Sequence, residues 1–216
     1  MEKETVKNGN KKVDYKKDEK EIYGVKNKPV IVTIPKQKYF CIKGVGNPNG
    51  EDFAQRLQVL YTLSYHVKMK LKQVEGYYEY TVYPLEGVWG LTELGIKEQG
   101  ETGKLNKDEL SYTIMIRQPE FLTPELAKQT LDFVQKSKKN PLIDEAYYDV
   151  IDDGLCVQML HLGSYDSETE SFNQMKAFIK EKGVHQRCFE HREIYLSDAR
   201  KVAPEKLKTI LRYFIK

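Results

Sequence analysis

The sequence predicts an α+β fold in which a strand–helix–hairpin unit occurs twice. Each half of the chain has an apolar strand candidate that runs into a glycine and is followed by a stretch with helical periodicity. Gly44 precedes Phe53 by nine residues, and Gly163 precedes Phe172 by nine residues. Because the aromatic residue of each helix has the same place relative to its turn, we expect a duplicated unit with antiparallel sheets.

The first half begins with strand candidates at residues 29–35 and 39–42, which are rich in β-branched and aromatic side chains. The glycine-rich segment 44–50 predicts a turn after them. Spacings of three and four residues then predict one inward face of a helix, formed by Phe53, Leu57, Leu60, Ser64, Val67 and Leu71. Two more strands are expected at residues 78–83 and 112–116, separated by a polar connection.

A second helix is predicted at residues 123–139, with Thr123 as its N-cap and Pro124 as its first helical residue. In the second half, the sequence from Ser167 to Glu170 fits a capping box, and Gly183 is expected to end that helix. A strand is expected next at residues 192–196, and we expect residues 204–212 to form a C-terminal helix.

The net charge of the chain lies in its N-terminus. Residues 1–28 contain nine Lys and six Asp or Glu, so residues 29–216 contain 26 residues of each sign and are neutral. We expect residues 1–28 to form a disordered charged tail and residues 29–216 to form one domain, with half-repeats at about 29–120 and 145–200. Because the domain has no excess of basic residues, we expect no direct binding to nucleic acid.

Membrane and disulfide classes are also disfavoured. The sequence has no apolar run of membrane-spanning length and no apolar signal region at its start, so we expect a cytoplasmic protein without a membrane partner. Three scattered cysteines, Cys41, Cys156 and Cys188, are expected to be reduced thiols. The sequence is compatible with a monomer or a homodimer.

The most informative segment for function is the strand candidate around Glu193. Alternation places Ile194 and Leu196 on one face of this strand, and His191, Glu193 and Tyr195 on the other. If the two halves meet here, the acid lines a seam, and seams between domains are preferred places for small-molecule pockets. The alternative is a half-buried strand whose polar side faces water.

Aromatic residues are abundant beside the predicted strands. The chain has 15 Tyr, 8 Phe and a single Trp, and the tyrosines in or near strands are Tyr78, Tyr80, Tyr112, Tyr147, Tyr148 and Tyr195. Rings that surround a carboxylate suit flat or cationic lipophilic ligands, although core packing accounts for most of these tyrosines. Burial would also raise the pKa of the Glu193 carboxyl and favour proton transfer near neutral pH.

Metal and cofactor chemistry find little support in the sequence. His185, Cys188 and His191 are spaced by three, but structural zinc sites usually bring paired ligands on a tight turn, so we expect no metal. The pair Gly44 and Gly46 lacks the third glycine of a dinucleotide-binding turn, so we expect no cofactor.

The segments 191–200 and 204–212 resemble the end of a GyrI-like small-molecule-binding domain, and residues 84–89, 112–119 and 157–166 are similar to the same family's pattern. The resemblance implies tandem duplicated strand–helix–strand–strand units, with antiparallel sheets and a ligand cleft at the seam between them. The sequence departs from the family pattern at two positions: Gly90, where many relatives have a second tryptophan, and Ala199, where many have a proline.

The resemblance implies binding of lipophilic, planar or cationic small molecules in an aromatic cleft around Glu193. The ligand-binding candidates are Glu193, Tyr195, His191, Trp89, Tyr112 and Tyr147. Some free-standing relatives resemble hydrolases that open strained electrophilic cyclopropane rings of toxic natural products, and in that case Glu193 and Tyr195 are the catalytic candidates. A third alternative is a protein-interaction inhibitor of a DNA-acting enzyme such as gyrase.

Overall fold

The computed structural model describes residues 12–137 and 139–216 and has the α+β architecture that the sequence predicts. Its strands are β1 Val30–Ile34, β2 Gln37–Val45, β3 Leu85–Leu91, β4 Leu110–Arg117, β5 Tyr147–Ile151, β6 Gly154–Leu162, β7 Gln186–Tyr195 and β8 Lys208–Ile215. Its α-helices are α1 Tyr15–Asp18, α2 Lys20–Tyr23, α3 Glu51–Lys70, α4 Glu93–Thr102, α5 Pro124–Lys136 and α6 Glu168–Glu181. None of the helices in the described ranges is long and apolar enough to cross a membrane.

The eight strands form one antiparallel sheet in the order β1-β6-β8-β7-β3-β4-β2-β5. The strand–helix–strand–strand unit occurs as β2-α3-β3-β4, with α4 inserted before β4, and again as β6-α6-β7-β8. The two units meet where β3 pairs with β7. The sheet is therefore continuous across the seam between the halves.

Each unit also lends its preceding strand to the other unit. Strand β1 precedes β2 in the chain but pairs with β6, and β5 precedes β6 but pairs with β2. Because the exchange is reciprocal, both outer edges of the sheet bind the two halves together.

Helices α3 and α6 cover the same face of the sheet, one in each half. Leu60 and Leu63 of α3 belong to a buried cluster with Ile42 and Ile114. The corresponding cluster of the second half contains Met175 and Ile179 of α6 with Val157, Met159, Leu211 and Tyr213. The register places Ile42, Ile114, Gly87, Glu193, Leu211 and Met159 in one row across the sheet, so Glu193 lies on the helix-covered face at the centre.

Helix α5 begins as predicted. Thr123 adopts an extended conformation, and its Oγ1 accepts a hydrogen bond from the Leu126 N–H at 3.3 Å, while Pro124 is the first helical residue. Proline is favoured here because its missing N–H would have had no partner in the helix.

The strand predicted at residues 78–83 is wrong. Among the described residues this segment makes one isolated bridge, between Tyr80 and Val13, and the strand of this half is β3. The rings of Tyr78 and Tyr80 in this segment, and of Tyr77 directly before it, pack against Phe121 instead. Strand β3 has two glycines, which lower its intrinsic strand preference. Its composition therefore does not predict a strand.

The predicted C-terminal helix at residues 204–212 is also wrong. Residues Pro204–Lys206 form one 3-10 turn, and β8 follows between β6 and β7. Every residue of β8 after Lys208 is buried. A central strand that is covered on both faces lacks the apolar and polar alternation that identifies a strand in sequence.

The predicted disordered tail is wrong for residues 12–28, and residues 1–11 lie outside the described part. Tyr15 and Tyr23, from the single-turn helices α1 and α2, are buried with their ring centroids 4.9 Å apart. Glu19, between them, forms an ion pair with Arg117 of β4. Two buried rings and one ion pair dock this charged segment on the domain although its average composition is polar.

Candidate functional site

Strand β7 holds a nearly buried carboxylate at the centre of the sheet. Glu193 is 9% exposed, and both of its oxygens have partners on the same strand face. The Tyr195 hydroxyl donates to Glu193 Oε2 at 2.8 Å, and His191 Nε2 lies 2.9 Å from Glu193 Oε1. Because an ionised carboxylate can only accept, His191 is the donor in this contact. The predicted grouping of His191, Glu193 and Tyr195 is thus present as a hydrogen-bonded set.

Strand β3 contributes Trp89 to this set. Its Nε1–H donates to the Tyr195 hydroxyl oxygen at 2.8 Å, so the chain of hydrogen bonds runs from Trp89 through Tyr195 to Glu193. Gly87, the residue paired with Glu193, makes room for the indole: a Cβ atom there would lie 2.6 Å from Trp89 Nε1. Glycine at position 87 therefore lets the indole reach over the strand towards Tyr195.

Further rings surround the hydrogen-bonded set on both sides. In the first half, Tyr112 packs on Trp89 and on Phe53 of α3, both with centroids 5.2 Å apart. In the second half, Phe172 of α6 packs edge-on against His191 at 4.6 Å, and Tyr165 packs edge-on against Tyr195 at 5.9 Å. The carboxylate thus lies among rings contributed by both halves of the duplicated fold.

A second carboxyl group, which the sequence argument missed, faces Glu193. Glu168 is the first residue of α6 and is buried. Burial, then the negative charge of Glu193 and a hydrogen bond with Glu193, raise the pKa of Glu168 to about 9. Glu168 is therefore protonated at neutral pH and can donate to Glu193, so the pair carries one negative charge.

The capping box predicted at residues 167–170 obscured this role of Glu168. In the structure the Ser167 side chain makes no cap to α6, and its hydroxyl donates to the Ser164 carbonyl at 2.8 Å. The predicted capping box explained residues 167–170 by hydrogen bonds within the first turn of the helix. An acidic residue at a helix N-terminus is common because it interacts favourably with the helix dipole. The contact of Glu168 with Glu193 is therefore evident only from the three-dimensional structure.

In the described part of the chain, the Glu193 carboxylate has no lysine or arginine partner. No lysine or arginine within residues 12–137 and 139–216 forms an ion pair with Glu193. The basic side chain that contacts it there is His191. Burial, followed by the charge of Glu193, raises the pKa of Tyr195 far above its ordinary value. Tyr195 therefore remains a neutral hydrogen-bond donor to the carboxylate.

Tyr147 lies apart from the other candidates. Tyr147 lies on β5 and pairs with Cys41 of β2. It packs in a cluster with Tyr39, Cys41 and Met115. The register places this cluster on the face of the sheet opposite Glu193. We therefore leave Tyr147 out of the candidate site, because strand alternation sends its side chain to the other side of the sheet.

The histidines and cysteines near the site are not arranged as metal ligands. In the part of the chain that the structure describes, no group of three or more His, Cys, Asp or Glu side chains is placed to hold a metal ion. Cys156 is buried in an apolar cluster with Ile34 and Phe214. His161 Nδ1 lies 2.9 Å from the Ser171 hydroxyl, so this ring is engaged in a polar contact inside its own half.

Comparison with known proteins gives one family match. The family model of the GyrI-like small molecule binding domain matches residues 27–215. A search of curated proteins gives no significant match.

Three solved structures illustrate the structural likeness. Two crystal structures, each described as a hydrolase from Listeria innocua, have 31% and 32% sequence identity and TM-scores of 0.82 and 0.83, and both alignments cover 95% of this chain and 100% of the other. The C-terminal domain of EcmrR has 11% identity and a TM-score of 0.51, over 88% of this chain and 97% of that domain. At that identity the third likeness concerns the fold alone.

Proposed function

This chain belongs to the family of GyrI-like small-molecule-binding domains, and from that premise we propose that it binds lipophilic, planar or cationic molecules at Glu193. The observation that carries the proposal is a nearly buried carboxylate that forms no ion pair with a lysine or arginine among the described residues. Burying a charge is costly to a fold, and a bound cation would offset part of that cost. The surrounding rings of Trp89, Tyr112 and Phe172 supply stacking and cation–π surface for the same ligand.

Ligand entry requires ring movement, because Glu193 is almost covered by its neighbours. Tyr165 is the outermost ring of the set: it is 42% exposed and contacts Tyr195 edge-on. It lies in the 3-10 turn Tyr165–Ser167 before α6, in which no residue is buried. In the proposal, Tyr165 turns outward as the ligand reaches Glu193.

Paired fluorescence titrations test the charge role of Glu193. The probes are ethidium, a planar cation, and N-phenyl-1-naphthylamine, a neutral aromatic. Glu193→Gln keeps the size of the side chain and removes its charge, so we expect ethidium affinity to fall by about tenfold or more while the neutral probe changes by less than about twofold. Glu190→Gln, an exposed position on the same strand, is the matched control and should change neither titration.

The two outcomes of this experiment separate clearly. Equal loss of both probes in Glu193→Gln would show that the substitution disrupts the ring set rather than removing a counter-charge. Unchanged ethidium affinity would place the binding site elsewhere. Either result would overturn the proposal.

Hydrolysis is the second candidate function, and the carboxyl pair favours it. Two carboxyl groups lie in a single site, and the pKa of Glu168 is raised to about 9, so they can divide the roles of acid and base. In addition, the two Listeria structures with 31% and 32% identity are described as hydrolases. The substrate class in this alternative is a strained, electrophilic cyclopropane conjugated to a carbonyl group.

The proposed hydrolytic step uses both carboxyl groups. Glu193 removes a proton from water, the water oxygen forms a bond to the electrophilic ring carbon, and the strained carbon–carbon bond breaks. Its electron pair passes into the conjugated carbonyl system, which takes the proton of Glu168. The product contains one added water, and the proton held by Glu193 returns to Glu168 between turnovers. Tyr195 and His191 hold the Glu193 carboxylate in place for the first proton transfer.

Turnover measurements distinguish the two candidate functions. A cyclopropane-containing aromatic enone is incubated with the protein, and mass spectrometry follows the product that has gained one water. If the chain is a hydrolase, Glu193→Gln and Glu168→Gln should each lower kcat by about a hundredfold or more with smaller changes in KM. A wild-type protein that binds the enone but never forms the hydrated product would exclude hydrolysis and leave the binding function intact.

A further inference from the structure

The groove between α3 and α5 forms a cavity away from Glu193. Its volume is about 240 Å³, and its walls come from the second half of α3 and the end of α5. Three large apolar side chains in it are more than half exposed: Tyr65, Met69 and Phe133. Exposed apolar side chains that cluster around a depression are typical of a surface that binds another molecule.

Aromatic surface dominates the centre of this groove. His66 of α3 and Phe133 of α5 pack on each other in the groove wall, with ring centroids 4.7 Å apart. Burial and the nearby charge of Lys70 lower the pKa of His66, so this ring is neutral at physiological pH. A flat ring that enters the groove can therefore pack against two uncharged aromatic groups.

The charges that line the groove all have one sign. Lys70 and Lys139 contribute to the cavity wall, and no aspartate or glutamate does among the described residues. The groove thus has the opposite charge from the site at Glu193. Charge complementarity favours a ligand with an anionic group beside its apolar part.

The size of the groove restricts the ligand further. Sites for drug-sized molecules usually enclose about 300–1,000 Å³, so a cavity of about 240 Å³ fits a molecule of one or two rings. We propose that the α3–α5 groove binds a small aromatic carboxylate, with its ring packed against the contacting pair of His66 and Phe133 and its carboxylate towards Lys70 and Lys139. This site is separate from the function proposed for Glu193.

Nuclear magnetic resonance titration with 2-naphthoate tests this site directly. We expect saturable shifts of the His66 and Phe133 signals, and affinity for the neutral analogue 2-naphthamide should be lower by about fivefold, as for the loss of an exposed ion pair. Phe133→Ala should abolish the saturable shifts, and because this side chain is 60% exposed the substitution is expected to leave the fold intact. An unfolding curve that matches the wild type verifies that the fold is unchanged.

Charge reversal provides the matched comparison. Lys139→Glu should weaken 2-naphthoate binding by about fivefold or more, whereas Lys176→Glu, an exposed position on α6, should leave it unchanged. Equal binding of the amide and the carboxylate, equal effects of the two lysine variants, or shifts centred on Glu193 would overturn the proposal. Shifts of His66 and Phe133 with protein concentration alone would assign the groove to a second copy of the chain and would also overturn it.

Discussion

Arg192 and Glu193 are neighbours on β7, and both are charged and nearly buried, yet they have opposite electrostatic surroundings. Arg192 faces the side of the sheet away from α3 and α6, where it donates to Glu86 and to Asp153, each at 2.8 Å. Arg212 donates to the other oxygen of Asp153, also at 2.8 Å, so two arginines meet two carboxylates in one network. Glu193, on the opposite face, has hydrogen-bond donors but no lysine or arginine in an ion pair, as far as the structure describes the chain.

The difference separates a structural role from the binding role that we propose. The Arg192 network compensates its own charges and links β3, β7, β8 and the turn at Asp153 across the seam. Such a network needs no ligand, and removing one member leaves buried charges without partners. The Glu193 carboxylate has no lysine or arginine in an ion pair among the described residues, which suits the cationic ligand that we propose.

Removing the positive charge of Arg192 should have the largest effect. In Arg192→Met, Glu86 loses its ion pair and Asp153 retains only Arg212, so we expect the free energy of unfolding to fall by about 3–5 kcal/mol. Urea unfolding measures this change. Arg200→Met removes an exposed pair with Asp198 and should change stability by less than about 1 kcal/mol. Similar small effects for both arginines would contradict a structural role for the buried network.

Removing the Tyr195 hydroxyl should have an intermediate effect. Tyr195→Phe leaves the Trp89 N–H without its acceptor and Glu193 Oε2 without its donor. We expect a loss of about 1–3 kcal/mol in the free energy of unfolding, because buried polar groups are left unpaired. Tyr165→Phe changes a more exposed hydroxyl on the neighbouring ring and should change stability by less than about 0.5 kcal/mol. If Tyr195→Phe also lowered the free energy of unfolding by less than about 0.5 kcal/mol, the hydrogen bonds of Tyr195 would not hold the site together.

The proton on Glu168 predicts a pH dependence of stability. The pKa of Glu168 is raised from 4.5 to about 9, so between these values the folded protein binds a proton that the unfolded chain has released. Stability therefore falls as pH rises through this window, by about 1.4 kcal/mol from pH 6 to pH 7 relative to Glu168→Gln. Urea unfolding of both proteins at the two pH values measures the difference. Glu170→Gln, exposed on the same helix turn, should retain the wild-type pH dependence. Parallel curves for the wild type and Glu168→Gln would exclude the shared proton.

Much of the architecture follows from local patterns in the sequence. The periodicity of α3 and the cap of α5 depend on neighbouring residues, and both predicted helices are present. The alternation along β7 also placed His191, Glu193 and Tyr195 on one face, as the hydrogen bonds confirm. Local chemistry is visible to a sequence argument because its causes lie within a few residues.

The missed features depend on distant partners. Strand β3 is stabilised between β7 and β4 despite Gly87 and Gly90, and β8 is buried on both faces, so neither has the local pattern of a strand. The contact of Glu168 with Glu193 depends on how α6 packs on the sheet. The ring of Tyr15 finds its packing partners far along the chain, which no composition average can show.

The stability of Glu193→Gln with and without ethidium tests the central account most directly. Without ethidium, the variant should be at least as stable as the wild type, because it removes a buried charge that has no lysine or arginine partner among the described residues. Ethidium at about 100 times its wild-type dissociation constant should stabilise the wild type by about 2.7 kcal/mol, and a tenfold weaker variant by only about 1.4 kcal/mol. A variant that is much less stable without ethidium, yet gains the same stability from it, would contradict a site in which the Glu193 charge is reserved for a ligand.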